Sequence, residues 1–170
     1  MSGFLLDTNI LSELRKPRPE ANVVRLVAAQ SEDDLFVSDV TFAEIRFGIE
    51  QLADADRRAH IATWLDHELR PLFAGRTLAI DEDVLLRWRL LLDAGKRRGH
   101  VFGQLDLLIG ACAAENGLIV VSRDVTHFKA AGVPVLEPWK AIFIPSNGVS
   151  INVDDLANPS LLSSLLAQRG

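Results

Sequence analysis

The chain has 170 residues, of which 48% are hydrophobic and 24% charged, and its net charge is −5. That composition excludes wholesale disorder and fits one ordinary domain able to bury roughly two-thirds of its unfolded surface. The longest apolar run, residues 107–114, is far short of the ~18 residues a transmembrane helix needs, and the single Cys112 excludes an internal disulfide. No basic stretch precedes the first hydrophobic segment, so we expect no secretory signal, a cytoplasmic location and no membrane association.

In chain order, residues 3–6 are short and apolar and end at Asp7-Thr8-Asn9. This predicts a buried strand opening into a helix with Ile10, Leu11 and Leu14 on its apolar face. Pro17 and Pro19 end that helix, and Val23, Val24, Leu26 and Val27 mark another over 21–30. A strand over 35–37 precedes Ser38, a cap for a helix presenting Phe42, Ile45, Ile49 and Leu52. A long helix over 54–69 is expected to stop before Pro71. Residues 77–80 predict a strand, Asp81 caps a helix toward Ala94, and 95–103 reads as a loop. A helix over 104–115 closes at Asn116-Gly117. Strand 118–121, a short helix over 125–130 and strand 133–136 follow.

Short strands apolar on both faces, alternating with helices, predict a parallel α/β sheet of four to five strands covered on both sides. Beyond Pro145 the composition turns to Ser, Asn, Gly and Asp, so we divide the chain into a domain over 1–144 and an extension over 145–170. Asn158-Pro159 starts a candidate helix to 168 with Leu161, Leu162, Leu165 and Leu166 on one side, and Ser163, Ser164, Gln168 and Arg169 elsewhere. So short a helix is marginal alone, and its stripe is expected to dock on another protein in preference to its own domain.

Four acids stand where a structural role explains them poorly. Asp7 and Asp124 follow the carboxyl ends of strands, the edge at which parallel sheets bind ligands. Glu44 lies a turn into the helix after the second strand, and Asp106 opens an otherwise apolar helix. Singly, Asp7 and Asp124 read as helix caps and Asp106 as a charge favourable to the helix dipole. Together they repel unless a cation is present, and hard oxygen donors select one or two Mg²⁺ or Mn²⁺ ions. Neutralising such a cluster would leave the remaining surface nearly uncharged, so the net charge does not exclude a nucleic-acid partner.

The segments Leu5-Leu6-Asp7-Thr8-Asn9-Ile10-Leu11, Phe42-Ala43-Glu44-Ile45, Asp106-Leu107-Leu108-Ile109-Gly110-Ala111 and Val121-Ser122-Arg123-Asp124 resemble, in order, the four motifs of PIN-domain ribonucleases. The similarity is greatest to the VapC and FitB-like toxins of bacterial toxin–antitoxin pairs and runs to the ending Gly132-Val133-Pro134-Val135-Leu136-Glu137-Pro138-Trp139. The resemblance implies a three-layer PIN-like fold and Mg²⁺- or Mn²⁺-dependent endoribonuclease activity. It also implies metal ligation by Asp7, Glu44, Asp106 and Asp124, support from Thr8, Asn9 and Ser122, a homodimer, and an antitoxin partner that blocks the acidic site. The extension beyond Pro145 departs from the pattern.

Other chemistries find little support. His60, His67, His100 and His127 include no pair at metal-ligand spacing, and Cys112 reads as a core residue. A phosphotransfer domain using Asp7 would want a second acid where Asn9 stands, and a non-hydrolytic RNA-binding module would not need the acid quartet. Lys96, Arg97 and Arg98, before Asp106, and Arg15 and Lys16, after Asp7, are the candidate RNA contacts. Trp64, Trp88 and Trp139 read as core or interface anchors.

Overall fold

The computed structural model describes residues 1–168. All five expected strands form and run parallel: β1 (Phe4–Leu6), β2 (Leu35–Ser38), β3 (Thr77–Leu78), β4 (Ile119–Val121) and β5 (Val135–Glu137). Two strands that the sequence pattern does not announce, β6 (Ile142–Ile144) and β7 (Ile151–Asn152), extend the sheet antiparallel beyond β5. The order is β3-β2-β1-β4-β5-β6-β7.

Two-sided burial fixes the register. Phe4 and Leu6, Ile119 and Val121, Leu136 and Phe143 enter one core, whereas Leu5, Val120, Val135 and Ile144 enter the other. Helices α1 (Thr8–Leu14), α2 (Ala21–Ala29), α3 (Asp39–Glu50) and α4 (Ala55–Trp64) supply the first core through Ile10, Leu26, Ile45 and Ile61. After the single turn α5 (Arg70–Leu72), helices α6 (Glu82–Arg97), α7 (Gln104–Asn116) and α8 (Thr126–Ala131) supply the second through Val84, Ile109 and Phe128. Cys112 is fully buried there, and burial pushes its thiol up to about 12, so it is no nucleophile. The strand order reverses between β1 and β4, which opens a crevice at their carboxyl ends.

Three expectations need correction. The helix does not stop before Pro71: α4 widens into a π turn over Leu65–Leu69, where the Arg70 N–H donates to the Leu65 carbonyl. Pro71 then sits in the first turn of α5, where no backbone donor is needed. Next, α6 outruns its expected end, so Lys96 and Arg97 occupy its last turn, where cations suit the helix dipole, instead of a loop.

Finally, the leucine stripe of the tail docks on its own chain. Helix α9 (Leu161–Leu166) is shorter than the pattern suggests and places Leu161, Leu162 and Leu165 in the first core, beside Leu156. The Gln30 amide donates to the Asn158 carbonyl at 3.1 Å, tying the tail to α2, and the Asn158 side chain accepts from the Ser160 N–H at 2.9 Å. A six-residue helix does not persist in water, and the core it is tethered to lies within reach. Arg169 lies outside the described residues. Among those described, no helix is long and apolar enough to cross a membrane.

Candidate metal centre

The crevice between β1 and β4 is a cleft of about 440 Å³, and all four expected acids line it. Asp7 leaves β1 buried and caps α1, its Oδ1 accepting from the Thr8 N–H at 2.7 Å. Its other oxygen accepts from the Ser122 hydroxyl at 2.6 Å and from the Asn9 amide at 3.1 Å. The same Asn9 amide reaches Ser122 Oγ at 3.0 Å, and its carbonyl oxygen accepts from the Arg123 N–H at 3.1 Å. Asn9 and Ser122 thus clamp the end of β1 to the end of β4. The Thr8 hydroxyl donates to Glu44 Oε2, which draws α3 to the same cleft.

Asp106 stands in the first turn of α7, the end of that helix nearest the carboxyl edge of the sheet. Asp124 turns the chain into α8: its N–H donates to Ser122 Oγ at 3.1 Å and its Oδ1 accepts from the Thr126 N–H at 3.3 Å. Capping and clustering are therefore compatible roles for Asp7, whereas Val125 and not Asp124 occupies the cap position of α8.

The electrostatics are those of acids lacking a countercharge. Burial, with the negative charges of Glu44 and Asp106 adding to it, pushes the Asp7 carboxyl up to about 6 against the lowering effect of its hydrogen bonds. Burial also raises Asp106, with Asp124 adding and His127 opposing. Among the described residues no lysine or arginine forms an ion pair with any of the four. Lys16, on the cleft wall, is instead held at 2.5 Å by Glu13, a buried acid that it keeps below the ordinary carboxylate range and that also accepts from the Glu20 N–H. A buried carboxylate, Asp7, beside half-buried Glu44 and Asp106 and exposed Asp124, with hydroxyl and amide supports, has the chemistry of a divalent-cation site.

Several cleft residues escaped the sequence reading. Arg123 lies on the wall with its guanidinium 5.3 Å from the centre of the Trp139 ring, so Trp139 borders the cleft as well as packing on the first core. Trp64 packs on that core too, and Trp88 on the second. His127, dismissed for want of a second histidine, sits with Asp106 and Asp124 so that one ligand atom of each lies within 4.8 Å of the others. Its place three residues past Asp124 gave no signal by itself, because the packing of α8 against α7 is what brings it to Asp106. Of the candidate RNA contacts, only Lys16 lines the cleft. The Arg15 guanidinium stacks over Trp64 at 5.3 Å, Arg97 pairs with Asp93 at 2.6 Å, and Arg98 donates to the Ala130 carbonyl.

Comparison with known proteins identifies the family of the fold. The family model described as PIN domain matches residues 4–133. The VapC ribonuclease Y4jK of Sinorhizobium fredii is 37% identical over 137 residues, covering 81% of this chain and 98% of that protein. Toxin FitB of Neisseria gonorrhoeae is 35% identical over 136 residues, covering 80% and 98%. The crystal structure of FitAcB from Neisseria gonorrhoeae superposes with a TM-score of 0.76 at 34% identity, over 80% of this chain and 98% of that one.

Proposed function

The chain belongs to the PIN-domain family, and from that premise we propose that it is the endoribonuclease toxin of a toxin–antitoxin pair, with Asp7, Glu44, Asp106 and Asp124 as the ligands of one or two Mg²⁺ or Mn²⁺ ions. The observation that carries the reading is the convergence of four acids from four separate segments in one cleft, where among the described residues no lysine or arginine pairs with any of them. The named relatives, a VapC ribonuclease and a FitB toxin, supply the activity and the biological setting.

When bound, a divalent cation supplies Lewis acidity toward a phosphodiester and lowers the pKa of its water. The chain's own residues do the rest. Ser122 and Asn9 hold the Asp7 oxygens in place, and Thr8 holds Glu44. Lys16 and Arg123 put positive charge on the cleft wall, where a phosphate backbone would run. Arg15, Lys96, Arg97 and Arg98 act farther out, as general attraction to RNA. Hydrolysis by attack of water leaves a 5′-phosphate on one product.

On the same reading the protein is cytoplasmic, its other partner is an antitoxin that covers the cleft, and it pairs as a homodimer. The exposed apolar side chains Phe47, Leu86, Leu90, Val101 and Leu105 are available for that pairing. Residues 1–144 form the PIN domain and 145–170 an extension, of which Leu156, Leu161, Leu162 and Leu165 complete the first core.

The test is cleavage of single-stranded RNA by purified, metal-stripped protein to which Mg²⁺ or Mn²⁺ is returned. Cleavage that requires the ion and disappears in Asp7→Asn and Asp106→Asn supports the proposal. Cleavage at the parental rate in either variant, or none in the parent with either ion, overturns it.

A further inference from the structure

Resting on the metal reading above, we propose that His127 is a further protein ligand of this centre, through Nε2, and that it makes the site a mixed nitrogen–oxygen one that favours Mn²⁺ over Mg²⁺. Three observations lead there. His127 Nε2 lies 3.6 Å from Asp106 Oδ2. That is too long for an N–H···O hydrogen bond. Two atoms that share one ion at about 2.1 Å each stand roughly 3.0–4.2 Å apart, and 3.6 Å falls inside that window.

Second, the fold fixes His127 relative to the acids. Asp124 lies just before the helix whose first turn carries His127, and its Oδ1 accepts from the Thr126 N–H, which ties it to the start of that helix. The imidazole also meets the ring of His100 edge-on, with centroids 6.4 Å apart, and His100 in turn lies 4.4 Å from Phe102. Only Nε2 faces Asp106. Nδ1 is buried and meets no hydrogen-bond partner among the described residues, so no hydrogen bond there selects either tautomer.

Third, the chain leaves room at this spot. A Cβ added to Gly103 would stand 3.0 Å from Asp106 Oδ2 and 3.9 Å from His127 Nε2. The residue before α7 therefore carries no side chain where carboxylate and imidazole meet. An imidazole nitrogen is a poor match for Mg²⁺, which keeps to oxygen donors, and a better one for a transition-metal ion.

The experiment is pulsed electron paramagnetic resonance of Mn²⁺ bound to the full chain, with calorimetric titrations of Mn²⁺ and Mg²⁺. We expect ¹⁴N modulation from a directly bound imidazole in the parent and in His100→Gln, and its loss in His127→Gln. Mn²⁺ affinity should fall at least about tenfold in His127→Gln, the order seen even when a partner outside the ligand set is removed, and Mg²⁺ affinity should fall less. If His127→Gln fails to fold, the parent labelled with ¹⁵N-histidine serves. Conversion of the ¹⁴N signal to a ¹⁵N signal supports a histidine ligand, and an unchanged signal overturns it. Mn²⁺ binding that needs Asp106 yet shows no nitrogen coupling, or keeps it in His127→Gln, overturns the role of His127 and leaves the acidic site standing. Mn²⁺ binding that is not saturable, or is indifferent to Asp106→Asn, removes the acidic site and this inference with it.

Discussion

Asp7 occupies the most constrained position in the cleft: buried, capping a helix, accepting three hydrogen bonds and facing two other acids. Its pKa is raised from 3.8 to about 6, so between about pH 4 and pH 6 the metal-free folded state holds a proton that the unfolded chain has released. Stability from this group is therefore present at low pH and lost as pH rises through about 6, by up to about 3 kcal/mol. Asp106 shifts in the same direction and adds to the trend. Asp7→Asn carries no such titration. Urea unfolding in a chelator should accordingly show the parent gaining on the variant as pH falls from 7.5 to 4.5. A parent-minus-variant difference that is flat over that range would show that Asp7 titrates normally. At pH 7 the variant should be at least as stable as the parent, because like-charge repulsion is relieved.

At the scale of single elements, the tail makes the sharpest prediction. Leu161, Leu162 and Leu165 of α9 are buried with Leu156, and β7 completes the sheet edge beside β6. Leu165→Ala should cost about 2–5 kcal/mol, as large-to-small changes in a packed core do. Removal of everything after Ile144 should lower the melting temperature by more, because it exposes the first core. A truncated chain that melts with the parent would show that the stripe serves a partner after all. The outcome also shows which elements the sequence discloses. Strands β1, β2, β4 and β5 were legible because strands buried on both faces are runs of apolar residues. Ser38, Asp81 and Gly117 marked helix ends through capping chemistry that is local. The passage through Pro71 was not legible, because it depends on a π turn whose apolar residues, Leu65 and Leu69, are held by the core. The docking of α9 was not either, since a stripe of leucines shows that a surface is needed and not which one. The four acids could be found from strand ends and motif order, whereas His127 needed the packing of α8 against α7 to bring it to Asp106.

At the scale of the whole molecule, the cleft joins segments that are far apart in sequence, from α1, α3, the start of α7 and the turn into α8. A cation bound by all of them ties both faces of the sheet together and binds only the folded state. Millimolar Mn²⁺ or Mg²⁺ should therefore raise the melting temperature, by the few degrees that about 1–3 kcal/mol of linkage represents for a domain of this size. The shift should vanish in the double variant Asp7→Asn, Asp106→Asn. An equal shift in parent and variant would place the ion elsewhere. The central claim is that these four scattered carboxylates form one divalent-cation site, and calorimetric titration of Mn²⁺ into metal-stripped protein tests it most directly. The predicted result is saturable binding of one or two ions per chain that Asp106→Asn abolishes or weakens by at least about tenfold; Mn²⁺ binding of unchanged affinity and stoichiometry in that variant would contradict it.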